Sequence, residues 1–194
     1  NGKRTAVDTT QWRDADGMTI LQFTTGQAGT WVAGVSTRAR NIALSATDFN
    51  DYLEHDGVLD MLALRREKGL LEADAHERYS KHVKSIFQVG EQLTDDWKTP
   101  LGYPIEFIPL QNPYDLHPGH TMSVQLLLGG EPLANQLVYI GKAPSGGDTG
   151  ESHSHGPEGE HTHDDAGTPS HTHEGVLSLR TDDAGKLEFE LDTA

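Results

Sequence analysis

The chain contains no cysteine in its 194 residues. Disulfides, thiolate nucleophiles and thiolate metal ligands are thereby excluded, and any metal is left to imidazole and carboxylate. Long apolar runs are missing too. The longest are MLAL at 61–64 and VQLLL at 124–128, far short of the ~20 residues a helix needs to cross a bilayer, so no transmembrane segment is predicted. Positive charge is scarce: 15 Lys and Arg stand against 30 Asp and Glu, a net charge of -15. Affinity for phosphate backbones comes from clustered Lys and Arg, so nucleic acid is excluded as a partner and cations are the more natural ligands. Catalytic signatures are absent as well. There is no Gly-x-Ser-x-Gly elbow, no His-Glu-x-x-His helix and no phosphate-cradling glycine loop, and the chain is not read as an enzyme.

What is present is enough for a modest packed core, at 35% hydrophobic residues. Residues 18–44 alternate apolar and polar side chains in MTILQFT, WVAGVST and NIAL, with a glycine-rich turn after the first, which predicts a β-hairpin. The pattern then turns helical. Ser45 and Thr47 are caps for DFNDYLEH, which Gly57 stops; a second helix is predicted from Leu59 to Lys68, ended by Gly69. A third is predicted from Glu72 to Phe87, because Tyr79, Val83, Ile86 and Phe87 fall at i, i+4, i+7 and i+8. After the polar stretch TDDWKTP at 94–100 the chain reads as β, with strands IEFIPL, TMSVQLLL, QLVYIG, VLSLRT and KLEFEL. The prediction is a mainly β fold with a helical insertion: residues 1–98 an N-terminal β-hairpin plus helical segment, residues 99–194 an immunoglobulin-like or transthyretin-like β-sandwich. A sandwich of this kind takes one more edge strand after KLEFEL, so the sequence is read as a fragment at its C-terminus, and its N-terminal β part as incomplete.

Between QLVYIG and VLSLRT lies a His-rich insertion, 142–175, with almost no apolar side chains from which a core could form. It carries six of the chain's eleven histidines as three His-x-His pairs: His153 with His155, His161 with His163, His171 with His173. In an extended chain residues i and i+2 project to the same side roughly 6.5 Å apart, so two imidazoles converge on one ion. Glu151, Glu158, Glu160, Asp164, Asp165 and Glu174 add oxygen ligands. Imidazole with carboxylate and no sulfur suits Ni(II), Co(II), Zn(II) or Cu(II), without strong preference. Ordering such a tract costs about 1–2 kcal/mol per fixed residue, which suits capture and release better than permanent retention.

The remaining histidines read more plainly. His117 and His120 flank a Pro-Gly turn and are taken as two surface histidines; His76 and His82 are six apart and share no helical face; His55 is a solvated helix end. TDDAG at 181–185 is a turn rather than a calcium loop.

Six stretches carry a family likeness: GTWVAG (29–34), DFNDYLEHDGV (48–58), ERYSKHVKSIFQVG (77–90), LGYPIEFIPLQNPYDLHPG (101–119), GGEPLANQLV (129–138) and TDDAGKL (181–187). They resemble a family of uncharacterised bacterial periplasmic proteins described as periplasmic components of ABC-type cobalt or nickel uptake. The resemblance implies a periplasmic location after removal of a signal peptide, an immunoglobulin-like C-terminal domain and a role near transition-metal import, with a metal importer or an outer-membrane receptor as partner. It supplies no catalytic residues. Family members often carry an acidic residue where this chain has His120. The leading expectation is a protein that captures or buffers a divalent metal on the tract for uptake. The alternative is a structural or adhesive β-sandwich module in which the insertion is incidental.

Overall fold

The computed structural model describes residues 3–15, 18–141 and 176–192. The fold is mainly β with a helical insertion, in open sheets, the class of a β-sandwich carrying such an insertion. No helix among the described residues is long and apolar enough to cross a membrane. Contacts group the described residues into two units, one drawn from 1–37, 82–135 and 181–194, the other from 38–81 and 136–180. Both sides of the boundary placed at 98/99 fall in the first unit.

In the first unit β1 (Trp12–Ala15) pairs antiparallel with β2 (Met18–Leu21). β3 (Gly29–Ser36) pairs over its whole length with β6 (His82–Val89), setting Trp31 opposite Phe87. A third sheet is built on β8 (Thr121–Leu128), flanked on one side by β7 (Ile105–Pro109) and on the other by β12 (Lys186–Glu190) and the two-residue β9 (Glu131–Pro132). Period-two spacing buries Met122 and Leu126 of β8 with Leu187 of β12, the apolar centre of this sheet. Gly34 of β3 leaves room for Tyr103 and Leu101, whose side chains a Cβ there would strike.

The second unit begins with β4 (Arg40–Leu44), paired antiparallel with β5 (Ala75–Tyr79). Between these strands are inserted α1 (Ala46–His55) and α2 (Leu59–Glu67). The Ser45 hydroxyl accepts from the Asp48 N–H at 3.1 Å, an N-cap worth about 1 kcal/mol. Phe49 and Leu53, four apart on α1, bury against Ala75, with Leu44, Tyr52, Val58 and Leu62 around them. α2 buries Arg65 while Leu59, Met61 and Leu64 remain exposed. The Arg65 guanidinium lies 4.8 Å from the Phe49 ring and donates to Asn50 Oδ1, Leu70 O and Ala73 O, so it closes the loop that follows the helix. β10 (Leu137–Ile140) and β11 (Leu177–Arg180) complete the unit as an antiparallel pair.

Two expectations are corrected. The predicted third helix over 72–87 is β5 and β6, and Asp74, just before β5, accepts from the Ala46 N–H at 3.1 Å. The strands MTILQFT and WVAGVST do not pair with one another, since β2 takes β1 and β3 takes β6. The eight-residue β3 finds in β6 a partner of equal length, with Trp31 opposite Phe87 in register, which β2, at four residues, cannot match.

Candidate functional site

The six predicted ligands His153, His155, His161, His163, His171 and His173 lie outside the described residues. The structure describes the two places where the tract leaves and rejoins the fold. Ile140 and Leu177 form the last register pair of β10 and β11. One residue further on, a Cβ added to Gly141 would touch Val176 Cγ2 at 3.2 Å. The 34 residues Lys142 to Gly175 are thus spliced into the tip of a hairpin whose two ends stand side by side.

That hairpin is fastened to the C-terminus of α1 in the same unit. The Tyr139 hydroxyl donates to Asp56 O at 2.8 Å. Gly57 takes φ +69°, the left-handed conformation glycine adopts without cost, and a Cβ there would lie 2.9 Å from the Tyr139 hydroxyl and 3.1 Å from Leu137 Cδ2. Glycine therefore both ends α1 and admits the strand. Nearby, burial pushes the Tyr52 phenol above its ordinary value, and the negative charges of Asp56 and Glu77, with Tyr79, push the same way. Sequence reasoning missed Tyr139 and Gly57 as supports of the tract because their contact joins residues 82 apart.

The other histidines are dispersed. His55 ends α1 at the surface, and His76 is exposed on β5. His82, the register partner of Ser36, closes the end of the β3–β6 ladder with Nδ1 2.8 Å from Ser36 Oγ and its ring 5.1 Å from Tyr103. His117 and His120 do flank a turn, with ring centres 5.5 Å apart. Among the described residues no three His, Asp or Glu side chains form a group that could hold a metal.

Two further polar features of the first unit serve the fold. Glu106 is buried and accepts from Lys84 Nζ at 2.8 Å and from the N–H groups of Leu101, Gly102 and Tyr103. Burial pushes its carboxyl up, but the Leu101 N–H, Lys84 and the Gly102 N–H outweigh it and hold the group below its ordinary value. Lys84 also donates to Thr99 O and Phe107 O, so the pair locks the 99–103 loop between β6 and β7. A shallow groove of about 410 Å³ is walled by Leu93, Trp97 and Leu110, with Asp95 and Asp115 on its lining. Its amides point inward, Gln111 to Thr121 O and Asn112 to Thr30 Oγ1, and Asp95 pairs with Lys98 at 3.3 Å.

The class so defined is a mainly β protein with a histidine-bearing insertion between two paired strands. The chain belongs to the family described as Domain of unknown function (DUF4198), whose pattern matches residues 2–194. No curated protein and no solved structure matches it.

Proposed function

We propose that the protein captures a divalent transition metal, of the Ni, Co, Zn or Cu class, on the His-x-His pairs of the 142–175 insertion, and holds or passes it for uptake in the periplasm. The observation that carries this reading is the placement of three such pairs on a segment closed at both ends by the β10–β11 ladder. Fixing the ends reduces the chain freedom that ion binding must remove. The absence of cysteine leaves imidazole and carboxylate as the donors, and the net charge of -15 favours approach of a cation. Metal takes neutral imidazole, whose unperturbed pKa is about 6.5, so acidification below that value releases the ion.

Calorimetric titration with Ni(II), Co(II), Zn(II) and Cu(II) tests this on the parent chain and on one with all six tract histidines replaced by Asn. Binding of moderate affinity at the tract is expected only in the parent, with affinity falling steeply between pH 7 and pH 5.5. Equal binding by both chains would remove the tract from the account.

A further inference from the structure

We propose a second transition-metal site, formed by His117 and His120 on the folded part of the chain and independent of the tract. Pro118 and Gly119 occupy the two central positions of the turn from His117 to His120. Proline presets the first, Gly119 has φ +84°, and the His120 N–H donates to His117 O at 3.0 Å, which together define a type II turn. The turn is also pinned from outside: the Gly119 N–H donates to Leu191 O at 2.8 Å and the Leu191 N–H to His120 O at 2.9 Å. Both ends of the turn therefore carry an imidazole on a backbone that is already fixed.

The spacing of the rings is that of two imidazoles able to share one ion. Two imidazoles coordinating a tetrahedral ion at ~2.0–2.1 Å stand with their ring centres roughly 5 Å apart. Here the centres are 5.5 Å apart and the planes are inclined by 53°, so the rings are tilted rather than stacked. The His117 N–H donates to His120 Nδ1 at 3.2 Å, which marks Nδ1 as the nitrogen bearing the lone pair in the neutral ring. That lone pair faces a backbone N–H, so an ion takes it once the His120 ring turns away and gives up one long hydrogen bond, worth about 1 kcal/mol. Both side chains are exposed, so the ion needs no opening of the fold. No third His, Asp or Glu joins them in a metal-holding group among the described residues, so the other positions fall to water or to an incoming ligand. Two imidazoles select borderline transition ions over Mg(II) and Ca(II), and the incomplete set makes this a site of exchange rather than storage.

The test uses the full chain with the six tract histidines replaced by Asn, titrated with Zn(II) and followed by ¹H–¹⁵N spectra of the imidazole nitrogens. The rings of His117 and His120 are expected to shift together and saturate. H120Q should abolish the His117 shift, and H117Q the His120 shift, while the backbone amides in the same spectra report that each variant keeps its fold. Rings that do not move, or a remaining ring that shifts as before in either single variant, would overturn the proposal. Neither result bears on the tract, which the parent chain tests separately.

Discussion

A carboxylate withdrawn from water is costly unless its lone pairs find donors, and Glu106 finds four: Lys84 Nζ and the N–H groups of Leu101, Gly102 and Tyr103. Its folded pKa lies below the ordinary 4.5. Such a group contributes stability above its unfolded pKa and loses it as the pH falls through the folded one. Urea midpoints measured across this acid range should therefore decline toward low pH. Glu106→Gln should lower stability at pH 7 by about 3 kcal/mol and flatten the decline, because it leaves the buried Lys84 without a counter-charge. Nothing in the sequence marked Lys84, Glu106 or Arg65 as interior. A pattern that counts every charge as solvent-facing misses residues buried because backbone carbonyls and amides surround them.

Among the elements, the strands from β7 to β12 were legible apart from the two-residue β9, and so was α1, since period-two alternation, the Ser45 cap and Gly57 all agree locally. β6 was not. One of its faces carries Val83, Ser85, Phe87 and Val89, the other His82, Lys84, Ile86 and Gln88, so polar residues fall on both faces and the alternation is masked. The apolar positions that remain fit a helical period equally well. Tertiary pairing with β3 decides the matter, and no local signal reports it. Turn chemistry was clearer: Asp182 Oδ1 accepts from the N–H groups of Ala184 and Lys186, both at 2.8 Å. Gly185 then takes φ +69°, where a Cβ would lie 2.7 Å from Leu126 O and 2.8 Å from Leu133 N. Backbone atoms cannot give way as a side-chain tip can. Gly185→Ala should thus cost about 2 kcal/mol or more in chemical denaturation, whereas Gly119→Ala meets no neighbour and should cost less.

Across the whole molecule, the reading of the tract histidines as metal ligands rests on composition alone, on imidazole pairs with no sulfur and no apolar neighbours, since these residues lie outside the described ones. The scaffold that presents them was not legible, since Tyr139 meets Asp56 only in the folded chain. The β10–β11 register closes before the insertion begins, at Ile140 and Leu177. Deleting 145–173 shortens the connection from 34 residues to five, and loop entropy alone predicts a gain of about 1.5 kcal/mol. A denaturation midpoint that falls instead would mean that the removed residues support the fold.

The same closure separates cargo capacity from architecture. By loop entropy alone, each doubling of the length of the segment beyond Gly141 weakens the fold by only about 0.6 kcal/mol. On the proposed reading, the number of histidine pairs on the segment would then set how many ions it takes while the scaffold stays as it is, like interchangeable cartridges on a common mount.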